Sequence, residues 1–213
     1  MPKRNRVTPF GDIIANPARG TFTGNRGILH NERQEIVVPY RSKAWIICAL
    51  EFNGWHREIM QPGSWTELFF LDEATALAAG HRPCFMCQRE RAEQFRAAWG
   101  RAHGAPAGPN RRKLSEIDAV LHEQRLTDAY YLWDKRKRTH PATLEELPDG
   151  VMIAQGDKAM LWWDGALREW APAGYGPPQP VDPQAAVALL TPPGTVAAIA
   201  AGFRPGVHDS VRP

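Results

Sequence analysis

Short apolar runs with a period of two alternate along the chain with stretches whose apolar positions recur every three or four residues. Trp45–Phe52 and Trp55–Met60 read as strands joined by Asn53-Gly54. Both positions of that dipeptide accept positive φ, so the pattern predicts a two-residue β-hairpin. In its register Phe52 opposes Trp55, and Cys48 opposes Ile59 on a face shared with Ile46 and Leu50. His56 then faces Glu51 on the other side. After a break at Gln61-Pro62-Gly63 come an apolar strand, Leu68–Leu71, and a short helix that Asp72 caps and Gly80 closes. Ala92, Phe95 and Trp99 predict a helix over Glu90–Arg101, and Ile117, Val120 and Leu121 predict another over Ser115–Leu126.

From Gly150 the period shortens again. Val151–Ile153, Ala159–Trp163 and Ala166–Trp170 predict an antiparallel meander turning at Gly156-Asp157 and Asp164-Gly165. A proline-rich connection over Gly174–Pro183 leads to a strand at Val187–Leu190. Thr191 then caps a helix that opens with Pro192 and Pro193 and ends at Gly202. The first 25 residues are rich in Gly, Pro and Arg and show neither period, which predicts an extended basic arm. The fold class expected is α+β: the arm over 1–25, a metal-binding module with hairpin and helix over 26–103, and a helix with an antiparallel sheet and C-terminal helix over 104–213. The last two regions are compatible with packing as one domain.

Composition changes this picture in two places. With 213 residues, 43% of them hydrophobic, the chain can build a full core, and its three cysteines cannot make a complete disulfide framework. Cys84 and Cys87 have the spacing of either a metal knuckle or a redox pair. A redox pair opens a helix directly after a central strand, whereas this one follows a helix stop and Pro83, so metal is the better reading. Zn²⁺, which takes four ligands in a tetrahedron, is the cofactor expected. No apolar run approaches bilayer length and the N-terminus carries no secretory pattern, so the expected location is cytoplasmic, with no membrane partner.

The net charge of +3 says little, but its distribution says more. Arg111, Arg112 and Lys113 form one basic cluster and Lys135, Arg136, Lys137 and Arg138 another, the latter just after Tyr130, Tyr131 and Trp133. Basic side chains beside aromatic ones suit a phosphate backbone and stacked bases, which makes nucleic acid a candidate partner and these residues its contacts. Phosphate loops, dinucleotide fingerprints, Gly-x-Ser-x-Gly elbows and His-Glu-x-x-His helices are absent from the sequence.

The segment from Phe69 to Cys87, containing Ala78-Ala79-Gly80-His81-Arg82-Pro83-Cys84, resembles the metal-binding module of Ada-type alkylation-repair proteins. In that family a strand, an alanine-rich helix and a Gly-x-Arg-Pro-Cys-x-x-Cys knuckle supply two of four zinc thiolates. The other two come from an upstream Gly-Ile-aromatic-Cys-x-x-x-Cys segment, whose first cysteine accepts a methyl group from a DNA phosphotriester. The counterpart in this chain is Gly27-Ile28-Leu29-His30, with Gln34 at the second position. The resemblance therefore implies zinc, with His30 as a ligand, and association with DNA, but not the methyl-acceptor chemistry. Cys48 can complete a closed Cys₃His site. If water fills the fourth position instead, the site becomes a zinc-dependent hydrolase, nuclease-like, with His122, Glu123 or Glu32 assisting proton transfer. A third reading is a protein-interaction module presenting Trp162, Trp163 and Trp170.

Overall fold

The computed structural model describes residues 1–54, 58–104, 113–129 and 131–212. Among the described residues, twelve strands form two six-stranded sheets and four α-helices pack with them, in an α+β arrangement. The first sheet contains β1 (Arg4–Val7), β2 (Ile13–Ala15), β3 (Phe22–Asn25), β4 (Ile46–Cys48), β5 (Leu68–Phe70) and β6 (Arg82–Pro83), in the order β2-β1-β5-β3-β4-β6. The segment expected as an arm is therefore sheet. Asn5 and Val7 point inward between the more exposed Arg4 and Arg6, a period of two too short to stand out among Pro and Gly.

The expected hairpin is only partly realised. Asn53 (φ 52°) and Gly54 (φ 67°) adopt the positive dihedrals of the turn, but β4 ends at Cys48 and none of the described residues from 58 to 60 is in a strand. Trp55, His56 and Arg57 lie outside the described residues, as do the pairings expected of them. Cys48 sits opposite Thr23 of β3, not Ile59. A local turn signal lost to pairing with β3 and β6, which flank β4 on both sides.

The second sheet is antiparallel throughout: β7 (His140–Thr143), β8 (Val151–Gln155), β9 (Lys158–Trp163), β10 (Ala166–Ala171), β11 (Gly174–Gln179) and β12 (Ala186–Leu189), in the order β11-β10-β9-β8-β12-β7. The meander is as expected. Its extension β11 occupies the proline-rich stretch, with prolines tolerated because the strand lies at the sheet edge.

The helices are α1 (Glu73–Ala78), α2 (Arg89–Ala102), α3 (Leu114–Arg125) and α4 (Pro193–Ala200). Asp72 caps α1 through a 2.8 Å bond from the Thr75 amide. Thr191 does not cap α4; its hydroxyl accepts the Met152 amide at 2.9 Å, and Pro192 takes the cap position. One hydrophobic cluster joins Val7 and Phe70 of the first sheet to Val151 and Met160 of the second, through Trp99, Leu121 and Ile199 of the helices. The two regions thus share a core.

Candidate metal centre

The knuckle is positioned by a short parallel pairing. Ile46 lies opposite Arg82 and Ile47 opposite Pro83, so the next residues along the two strands, Cys48 and Cys84, come level. Pro83 is tolerated because β6 is an edge strand. The amides that bond to β4 are those of Arg82, to Trp45 O at 3.0 Å, and Cys84, to Ile47 O at 2.8 Å, and the missing donor falls between them. Gly80, at φ +92°, stops the preceding helix, and a Cβ there would sit 2.5 Å from the Arg125 side chain. After Cys84 the chain turns once into α2, with the Gln88 amide donating to Cys84 O at 3.1 Å. Arg82 is fixed by a bidentate pair with Asp118 of α3, at 2.8 and 2.7 Å.

The sulfur atoms of Cys48, Cys84 and Cys87 all lie within 4.8 Å of one another, and none is in a disulfide. Cys48 and Cys84 are buried and Cys87 is partly so. Backbone amides are turned toward the sulfurs: Met86 N–H reaches Cys84 Sγ at 3.4 Å, Cys87 N–H also bonds Cys84, and Ala49 N–H bonds Cys87. Such donors favour thiolate over thiol. The Cys48 and Cys87 thiols, donating to Cys84, push its pKa far down, whereas hydrogen bonds to Cys84 and Cys87, together with burial, push Cys48 up. A divalent ion is what would allow thiolate charge to gather on all three sulfurs. The donor set fits Zn²⁺, which favours thiolate sulfur.

All three cysteines line a cleft of about 430 Å³. Its other walls are mostly apolar, and Leu50, Ile59 and Met86 on its border are exposed at 49%, 37% and 62%, an apolar rim of the kind that marks a binding site. Glu67 also lines this cleft. Its Oε2 accepts the Met60 amide at 2.7 Å, while the buried Oε1 has no hydrogen-bond partner. Sequence reasoning missed Glu67, because an isolated glutamate ahead of a strand carries no motif.

His30, expected as a ligand, lies elsewhere. Thr66 Oγ1 is 2.6 Å from its Nδ1, and Gln61 O is 3.2 Å from its Nε2. Since Thr66 Oγ1 already accepts the Leu29 amide, its proton goes to Nδ1, and Nε2–H donates to Gln61 O. Both nitrogens are used, so no lone pair is left for a metal. Neither His122 nor Glu123 lines the cleft, and Glu32 is exposed away from it. His122 Nδ1 instead accepts from Arg125 Nη2 at 2.9 Å.

Burial, aided by Arg125, Lys43 and Lys135, lowers the His122 imidazole to about 4, and burial with Arg26 and Arg125 holds His81 well below its ordinary value. Folded values below the unfolded one mean that stability is complete above pH ~6.5 and is lost as pH falls toward 4. His122→Gln should therefore lose less stability between pH 7 and pH 4.5 than wild type, by about 1–2 kcal/mol after allowance for the partial exposure of this imidazole. Urea midpoints at the two pH values measure it; parallel slopes for the two proteins refute the assignment.

The basic run is largely engaged internally. Lys137 Nζ donates to Ala78 O, Arg138 pairs with Asp128 at 2.8 Å, and Lys135 reaches Thr127 O at 3.4 Å. Arg136 is exposed, while Arg111, Arg112 and Tyr130 lie outside the described residues. The tryptophans do not form an exposed row: Trp162 is buried with Nε1 donating to Leu147 O, and Trp163 and Trp170 pack on a second core cluster. Among the described residues no helix is long and apolar enough to cross a membrane. Compared with protein-family models, curated proteins and solved structures, the chain gives no match.

Proposed function

We propose that this chain is a zinc-binding protein built on an Ada-like module, with Cys48, Cys84 and Cys87 as its thiolate ligands and an open fourth position at the cleft. The observation that carries the reading is the convergence of three unbridged sulfurs, within 4.8 Å of each other, on one wall of a cleft. Cys48 takes up the role that the resemblance gave to an upstream residue. In this arrangement the methyl-acceptor position has no counterpart, because His30 is held by Thr66 and Gln61.

When bound at such a site, zinc supplies a Lewis acid to whatever occupies its fourth position. The chain's own residues do the rest. Leu50, Ile59 and Met86 would receive the apolar part of a ligand, and Glu67 brings a carboxylate to the same cleft. A hydrolytic role is favoured over a purely structural one by the cleft onto which the three cysteines open, since a closed structural site needs no such opening.

The test uses cobalt(II) in place of zinc. The thiolate-to-metal absorption should show three sulfur ligands, should be unchanged in His30→Ala, and should shift when a small thiol such as 2-mercaptoethanol is added at the open position. Loss of metal in His30→Ala, or a spectrum indifferent to added thiol, would count against the open site.

A further inference from the structure

A second cavity, of about 480 Å³, shares no lining residue with the cysteine cleft. Six cationic side chains line it: Arg4, Arg26, Arg125, Lys135, Arg136 and Lys137, against one carboxylate, the exposed Asp12. Two of the cations are 1% exposed, Arg26 and Arg125, and their guanidinium groups lie over the Trp45 ring at 3.9 and 3.8 Å from its centroid.

Among the described residues, the polar contacts of Arg26, Arg125 and Lys137 are all to neutral groups. Arg26 Nε donates to His81 Nε2 at 3.2 Å and Nη1 to Gly11 O at 2.9 Å, and Nη2 has no acceptor. Arg125 donates to Gly80 O and Lys43 O, each at 2.8 Å, and to His122 Nδ1 at 2.9 Å, and its Nε has no acceptor among the described residues. Lys137 donates to Ala78 O. The neighbouring Asp118 is already bound bidentately by Arg82. Carbonyl oxygens satisfy donors but do not neutralise charge, and buried charges in folded proteins are ordinarily paired. Burial lowers both Arg26 and Arg125 to about 9, with Asp12 and Asp118 respectively offsetting only part of its effect.

We propose that this cavity binds the phosphoryl group of phosphate or of a small phosphorylated molecule. A dianion matches several convergent cations better than a single carboxylate does, and guanidinium donors suit phosphate oxygens. The volume lies in the range of small-molecule pockets and exceeds what phosphate alone fills, so a phosphate monoester with a compact organic part is the better-sized ligand. Tyr40 and Phe10, also on the wall, give that part apolar contact.

Calorimetric titration of the zinc-loaded full chain with inorganic phosphate, adenosine 5′-monophosphate and adenosine tests the proposal. The two phosphate-bearing probes should bind saturably, one per chain, and compete with each other, whereas adenosine should not bind. Tighter binding of the monophosphate assigns the site to phosphorylated molecules, and tighter binding of phosphate assigns it to the free ion. Arg26→Met should weaken binding by about 10-fold or more, as for loss of a charge-assisted contact. Because that variant is buried and can fail to fold, Lys135→Gln and Arg136→Gln at the rim provide the second measurement, each with a loss of about 2- to 5-fold. Absence of saturable heat with both phosphate probes overturns the proposal. So does binding of a single-stranded oligonucleotide that neither probe displaces, which would assign the charge to nucleic acid instead.

Discussion

A Cys84→Ser chain should come out of purification without zinc and unfold at a clearly lower urea concentration than the metal-loaded wild type. Cys84 is the sulfur on which the others converge: it is buried, receives the Met86 amide, and sits level with Cys48 across the β4–β6 pairing. Zinc bound by thiolates carries ~10–16 kcal/mol in small zinc domains, most of it spent in folding them. This chain has a large core independent of the ion, so the loss expected is smaller, about 3–5 kcal/mol, the scale of a removed cross-link. Metal content by chelator titration and urea midpoints together measure it. Cys48→Ser should behave like Cys84→Ser. Retention of stoichiometric zinc in Cys84→Ser would mean that the ion, if any, binds elsewhere.

Asp72→Ala should destabilise the chain by about 3–5 kcal/mol, whether or not zinc is bound, because it leaves several buried donors without an acceptor. Its carboxylate is 1% exposed and accepts four hydrogen bonds. Oδ1 takes the Thr75 amide at 2.8 Å and the Thr75 hydroxyl at 2.7 Å; Oδ2 takes the Tyr175 hydroxyl and the His208 amide, each at 2.9 Å. It thereby caps α1 and ties to it β11 and the C-terminal segment, three stretches far apart in sequence. Burial pushes this carboxyl up while the four donors hold it down, so Asp72→Asn, which keeps the shape but presents an amide to some of those donors, should recover only part of the loss. Thermal unfolding of the three proteins, in zinc and in chelator, separates this effect from metal loss. A change within 0.5 kcal/mol, roughly that of an ordinary surface substitution, would remove Asp72 from this role.

Much of the architecture is legible in the residues. The meander from Val151 to Trp170, the Asp72 cap, the helix through Phe95 and Trp99, and the one through Ile117 and Leu121 all follow from local period and turn chemistry. What local pattern misreads is tertiary pairing. β1 to β3 are three or four residues long and interrupted by Arg, Pro and Gly, and the strand character of Trp45–Phe52 is cut short because β3 and β6 take both edges of β4. The site divides in the same way. Cys84 and Cys87 announce themselves by spacing, and Cys48 joins them in space. His30 stands where the Ada resemblance would put a thiolate, yet Thr66 and Gln61 occupy its two nitrogens, a fact no one-dimensional pattern carries. The buried Arg26 and Arg125 are equally silent in the sequence, each being an ordinary arginine until both guanidinium groups are seen over the Trp45 ring.

The parallel pairing of β4 with β6 joins two points separated by a long excursion of the chain, from Cys48 out past the Asn53-Gly54 turn and back through α1 to Cys84. An ion gripping both ends is a clasp on that excursion. Closing a loop of this size with a covalent bridge restrains the unfolded chain by between ~3 and ~5 kcal/mol, and a coordinate bond to sulfur does the same for as long as it lasts. Unlike a disulfide, such a clasp is indifferent to reductants and opens by competition for the metal. The stability that such an ion would add then rises and falls with the free metal concentration around the chain.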